Sequence, residues 1–178
     1  MMFNDVKFEV LRYGKNKILK ETSNYLSNTG QVISEKEYVK DLGVYMSNTA
    51  DFSEHINRVT TTANQLSSWI LRTFKSRNAE VMLTLWKSLV IPRLDYCSQL
   101  FNPYKASQKQ QLELIQRNFL RKIYGACNLN YWEQLQTFKI SSLERRRERY
   151  QIIYICLENS GRLGSKLPKF KQNHCKVQ

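Results

Sequence analysis

The sequence predicts an α+β fold: a small N-terminal antiparallel sheet over about residues 6–46, a mainly α-helical bundle over residues 51–161, and a disordered basic tail over residues 162–178. Three observations carry this reading. Apolar residues alternate with period two ahead of Asp51. From Asp51 onward they recur at steps of three and four. Beyond Gly161 the chain is basic, with few large apolar residues to build a core.

Val6, Phe8 and Val10 alternate with Lys7, Glu9 and Leu11 as in a half-buried strand, which Gly14, Lys15, Asn16 and Lys17 end as a turn. Tyr25-Leu26 and Gln31-Val32-Ile33 flank Ser27, Asn28, Thr29 and Gly30, a hairpin signal, because Asn and Gly permit positive φ. Tyr38, Val39, Leu42, Val44, Tyr45 and Met46 read as one more strand, interrupted by Asp41 and Gly43. A glycine inside a strand marks a bulge or a close approach of another backbone.

Phe52, Ile56, Val59, Ala63, Leu66, Ile70 and Phe74 form one apolar stripe, so a helix is expected over about 52–74, with Asp51 as its N-cap. A second helix follows Asn78, its face made by Val81, Met82, Leu85, Trp86, Leu89 and Val90. Pro92 lacks an amide donor and disfavours helical geometry at Ile91, so a break or kink is expected there, with helix resuming from Leu94 to Phe101. The third helix opens on Ser107-x-x-Gln110, carries Leu112, Ile115, Phe119 and Ile123, and ends at Gly125. A short helix is expected near residues 131–137. The last opens on Ser141-x-x-Glu144, carries Leu143, Tyr150, Ile153, Tyr154 and Leu157, and ends at Gly161 and Gly164.

The formal charge of +13 is unevenly placed. Residues 1–50 hold 7 basic and 6 acidic side chains, whereas residues 51–178 hold 21 and 9, a net of +12. A basic half attached to a neutral half suits a polyanionic partner; the plainer alternative is a solvated surface that keeps the protein soluble. Three clusters carry the charge: Arg72, Lys75 and Arg77; Arg117, Arg121 and Lys122; and Arg145, Arg146 and Arg149. Guanidinium groups spaced four apart on a helix can reach successive phosphates. For the last cluster the alternative is pairing of Glu144 with Arg147 and Glu148 on a solvated face. Trp69, Trp86 and Trp132 raise a parallel choice between base stacking and packing, and the apolar stripe places Trp86 in the core.

Two-metal nucleotidyl transfer needs closely spaced carboxylates. The chain has four aspartates, Asp5, Asp41, Asp51 and Asp95, and no two are adjacent. It has no P-loop, nucleophile elbow or zinc-protease helix either. Cys97, Cys127, Cys156 and Cys175, with His55 and His174, fit no zinc module, so neither metal nor cofactor is expected. No stretch approaches the ~18 apolar residues of a membrane span. No basic segment followed by an apolar run opens the chain, and an intracellular protein is expected, in nucleus or cytoplasm.

Several short runs stand in a telling order: Glu37-Tyr38-Val39-Lys40-Asp41-Leu42-Gly43-Val44, Ala63-Asn64-Gln65, Arg72-Thr73-Phe74, Trp86 through Cys97, and Leu112-Glu113-Leu114-Ile115-Gln116-Arg117. In this order they resemble the far end of the reverse transcriptase of a non-LTR, jockey-like retrotransposon. Met2-Phe3-Asn4, the run from Lys7 to Leu11, and Gly14 resemble the family stretch that follows the catalytic aspartate pair. The resemblance implies that residues 1–50 are the edge of a palm. Within it, Lys40, Asp41, Leu42, Gly43 and Val44 would form the primer grip. Residues 51–161 would be the thumb and its connector, with Arg58, Arg72 and Arg77 as backbone contacts to a template–primer duplex of RNA or DNA. It further implies a chain without its own catalytic centre, a polymerase remnant, with the palm a partner in trans. A stand-alone helical module binding RNA or a protein is the other reading. The two differ in surface: a remnant would expose apolar residues on its small sheet, and a stand-alone module would not.

Overall fold

The computed structural model describes residues 7–14, 24–126 and 128–162. The expected strand start at Val6, the turn residues Lys15, Asn16 and Lys17, Cys127, Gly164 and the basic tail lie outside the described residues.

The expected α+β order is present, with a narrower sheet. Strands β1 (Tyr38–Asp41) and β2 (Val44–Ser47) pair antiparallel, Tyr38 opposite Ser47 and Asp41 opposite Val44. The expected single interrupted strand is therefore a hairpin. Leu42 and Gly43 form its two-residue turn at φ 45° and 89°. Two positive φ values give the turn a twist that matches the strands. Leu42 pays for this conformation with a Cβ clash that Asn or Gly would lessen, and it is 83% exposed, so it gains little burial in return. Leu42→Asn is expected to raise stability by about 0.5 kcal/mol, read as a shift in urea midpoint at unchanged slope.

Ahead of the hairpin, pairing is sparse. The expected turn at residues 27–30 forms, its Gly30 amide donating to the Ser27 carbonyl at 2.9 Å. Its flanks, though, meet only in the bridge of Leu26 with Val32, and Val10 meets Glu35 in a single parallel bridge. Tyr25, Leu26, Val32 and Tyr38 remain exposed.

Helix α1 (Ser53–Thr73) follows the expected stripe, with Ile56, Ala63 and Ile70 fully buried. The expected N-cap, Asp51, lies one residue too early: Phe52 is the N-cap and has no side-chain cap, while the Asp51 carboxylate accepts from the Ser53 amide at 2.9 Å and the Ser53 hydroxyl at 2.7 Å. The Ser53 hydrogen bond, the largest cause, holds the Asp51 carboxyl below its usual range.

Pro92 does not break the second helix. α2 (Ala79–Leu85) widens into a π-helical turn over Trp86–Val90 and continues as α3 (Ile91–Asp95). The Ile91 amide donates to the Trp86 carbonyl, five residues back. The wide turn moves aside the carbonyls that a proline ring would otherwise strike, so the helix runs on through Pro92 without the expected break. The helix then stops at Asp95, short of the expected Phe101, because Tyr96 turns extended and Cys97 takes φ 54°.

α4 (Ala106–Leu120) starts without a side-chain cap, and the expected box of Ser107 and Gln110 is not formed. Gln108 Nε2 instead donates to Ser53 Oγ at 2.6 Å, and Gln111 Nε2 to Thr60 Oγ1 at 3.1 Å. At the opposite end the Tyr124 amide donates to the Arg77 carbonyl at 2.9 Å. These contacts make α1 and α4 run parallel. Between them and the π turn lies the core, centred on Trp86 stacked against Phe119 at 4.6 Å, with Met82, Leu94, Leu112 and Ile123 around it.

α5 (Tyr131–Thr137) is closed by a reciprocal box between Asn130 and Glu133. α6 (Leu143–Arg162) is not opened by Ser141 and Glu144. Its first amides, Leu143 and Glu144, donate to the Glu113 carboxylate of α4 at 3.1 and 3.3 Å, and Ser142 Oγ accepts from Arg145 at 3.3 Å. An acidic group at a helix N-terminus also meets the positive end of its dipole. Leu143 and Arg147 are buried, but Ile153, Tyr154 and Leu157 are exposed, so the expected apolar stripe of α6 runs past the edge of the body.

Candidate nucleic-acid interface

The hairpin lies against the first half of α1 and the end of α3, and between them opens a cleft of about 870 Å³. Lys40, Gly43 and Tyr45 line it from the hairpin, Glu54 to Thr62 from α1, and Pro92, Arg93 and Tyr96 from the other side. The hairpin is tied down by several hydrogen bonds, among them one from Arg58 Nη1 to the Tyr45 hydroxyl at 3.5 Å. The Tyr96 hydroxyl donates to the Leu42 carbonyl at 2.7 Å, the Tyr45 amide donates to His55 Nδ1 at 3.4 Å, and Ser47 Oγ bonds the Asp51 backbone at 2.8 and 2.9 Å. A Cβ on Gly43 would sit 3.5 Å from the Tyr96 ring, and φ 89° excludes most side chains besides.

Among the described residues three cations face this space: Lys40, Arg58 and Arg93. Arg58 lies 4.3 Å over the Tyr45 ring and pairs with Glu54 at 2.6 Å, while Lys40 lies 5.5 Å from the same ring on the strand side. Tyr45 thus holds two cations at one wall of the cleft, and the Glu54 pair is exposed and of little weight. Of the expected primer-grip residues, Lys40 and Gly43 line the cleft; Leu42 and Asp41 are exposed, and Val44 is buried beneath.

From the cleft an exposed stripe runs along α1: Arg58, Thr62, Gln65, Trp69 and Arg72, at steps of four and three. Arg58 and Arg72 share a face, about 21 Å apart along the axis at 1.5 Å per residue. That distance is roughly six phosphate spacings of one strand. Lys75 follows, exposed, and Arg121 and Lys122 are exposed at the same end of the bundle, where the Tyr124–Arg77 bond joins α4 to the loop after α1.

Other expected contacts are engaged within the fold. Arg77 donates to the Phe74 and Leu71 carbonyls and so closes the C-terminus of α1. Arg117 stacks 4.8 Å over Tyr131, with its Nε buried. Arg146 pairs with Asp95 at 2.6 Å, and Tyr150 donates to the same carboxylate at 3.2 Å. Arg145 and Arg149 are exposed, but no described side chain of α6 lines the cleft. Glu144 pairs with Lys109 at 2.8 Å, not with Arg147. Arg147 is buried, donates to the Leu94 carbonyl at 3.1 Å and lies 5.5 Å over Phe101. Burial, the largest cause, pulls its guanidinium down to about 10, which leaves it charged at neutral pH.

Arg93, Tyr45 and Tyr96 were not singled out from the sequence. Arg93 and Tyr96 stand inside the run that carried the resemblance, and the four-and-three spacing that revealed the buried face of α1 also defines its outer stripe. Of the tryptophans, Trp86 is core, as its spacing indicated, whereas Trp69 and Trp132 are exposed.

No protein-family model matches the chain. No solved structure matches it. Over 112 residues it is 26% identical to "Uncharacterized protein B0403.1" of Caenorhabditis elegans, a stretch that covers 61% of this chain and 57% of that protein. The chain therefore spans little more than half the length of this relative. Among the described residues no helix is long and apolar enough to cross a membrane, and no three His, Cys, Asp or Glu side chains are grouped to hold a metal ion.

Proposed function

We propose that this chain is the primer-grip and thumb part of a polymerase resembling the non-LTR retrotransposon reverse transcriptases. On this reading it holds template–primer duplex through phosphates, without sequence preference, and without the carboxylates for catalysis. One observation supports this most: the hairpin that carries Lys40 meets Arg58 and Arg93 around one cleft, and the outer stripe of α1 leads from that cleft to Arg72. A 3′ end in the cleft and a strand along α1 would satisfy both. Trp69, 47% exposed on the stripe, offers a flat apolar surface to a sugar or base. The apolar exposure of Tyr25, Leu26, Val32 and Tyr38 supports the same reading, since a palm would cover such a sheet.

Fluorescence anisotropy with a mixed-sequence RNA–DNA duplex tests it. With Lys40, Arg58, Arg72, Lys75 and Arg93 each meeting one phosphate, log affinity should fall with log salt at a slope of about −4 to −5. A slope near zero, or a strong preference for one sequence, would contradict it. Incubated with primed RNA, magnesium and nucleotides, the chain is expected to extend no primer, because none of its four aspartates stands beside another. Template-dependent extension above a mock preparation would overturn that.

A stand-alone protein-interaction module is favoured by a different observation, the exposure of Ile152, Ile153, Tyr154, Ile155 and Leu157 on α6. That reading predicts no salt-dependent duplex binding.

A further inference from the structure

We propose that His55 is an acid-sensitive latch for the hairpin: a proton on its ring releases β2 from α1 and opens the wall of the cleft. This concerns how the hairpin docks and holds whether or not the cleft takes nucleic acid.

His55 is 2% exposed, the third residue of α1, and it sits against Tyr45 of β2. Its Nδ1 accepts the Tyr45 amide at 3.4 Å, so Nδ1 carries no proton and the neutral ring is protonated at Nε2. Nε2 is buried and has no partner among the described residues, and the ring edge packs on Phe101 at 4.4 Å and 77°. A second proton can enter only at Nδ1. It would then set two N–H donors against each other, in a site that offers no acceptor in exchange.

The surroundings add no relief. Arg147 of α6 lies 5.5 Å over the Phe101 ring, and its charge opposes a second positive charge on His55. Glu54 and Arg58, on the same helix, are paired with each other at 2.6 Å. Lys40 and Arg93 line the cleft beside it, and Tyr45 covers it from β2. Burial first and Arg147 second hold the His55 ring below its ordinary 6.5. The unfolded or undocked ring therefore binds its proton more readily than the docked one. Docking is complete above pH 6.5 and weakens as the pH falls below it toward the depressed value. The other ties, Tyr96 to Leu42, Ser47 to Asp51 and Arg58 to the Tyr45 hydroxyl and ring, carry no group that titrates near neutrality, so they remain and the hairpin swings on them rather than leaving.

Amide exchange of the full-length chain, corrected for intrinsic rates, tests this between about pH 8 and about pH 5. Protection of the Tyr45 amide and its hairpin neighbours should fall about tenfold or more at the acid end, while Ile115 and Phe119 in α4 keep theirs. The midpoint should coincide with the titration of the His55 ring by NMR, and not with that of His174. In His55→Gln, whose amide oxygen can accept from Tyr45 and takes up no proton in this range, the acid-induced loss should vanish. Equal hairpin protection at both ends of the range, a parallel fall in α4, or an unchanged loss in His55→Gln would each overturn the proposal. The wild-type comparison alone decides it if the variant does not fold.

Discussion

Trp86→Ala is expected to cost roughly 3–5 kcal/mol of folding stability. The side chain is 1% exposed and stacks on Phe119 from within the π turn. Removing the indole empties the point where α1, α4 and the π turn meet, and a helix with Pro92 just beyond cannot easily shift to fill it. A domain with ~5–15 kcal/mol in total would lose much of its margin. Urea denaturation followed by circular dichroism measures this, with Trp86→Phe as the milder companion. A loss under about 1 kcal/mol would mean that the core is not centred there.

The second large effect is on binding. Lys40→Gln, Arg58→Gln and Arg93→Gln together remove the three cations of the cleft while leaving its shape, since all three side chains are exposed. If each meets a phosphate, the salt slope should flatten by about 2.7, and affinity near 50 mM salt should fall by two or more orders of magnitude. Circular dichroism should stay unchanged, because none of the three is buried.

The fold was readable where one local period dominates. The stripe of α1 and the apolar face of α4 needed only their own spacing, and burial of Ile56, Ile70, Leu112 and Phe119 follows it. The hairpin was harder. Its turn holds Leu42 where Asn or Asp would signal a primed turn, so the two strands read as one. Two helix starts differ for a related reason: a capping box is a local pattern, but α4 begins at Ala106 without a side-chain cap, and the first turn of α6 takes both Ser142 and the distant Glu113 carboxylate as acceptors.

The candidate site divides in the same way. Arg58 and Arg72 could be placed on one face by counting, and both are exposed. Arg146 could not, since its partner Asp95 lies 51 residues away. Arg147 is harder still. A buried arginine in a run of arginines looks like its neighbours until the Leu94 carbonyl and the Phe101 ring are brought beside it. The stripe of α6 was spaced correctly, but spacing does not tell where the body ends, and Ile153, Tyr154 and Leu157 lie beyond it.

On the proposed reading, duplex lies in the hairpin cleft and along α1, and not across the arginines of α6. The salt dependence of anisotropy for three proteins tests this most directly: wild type, the cleft variant, and Arg145→Gln with Arg149→Gln. The account predicts a wild-type slope of about −4 to −5, one near −2 for the cleft variant, and the wild-type slope for the α6 variant. A flattened slope in the α6 variant, with the cleft variant unchanged, would contradict it.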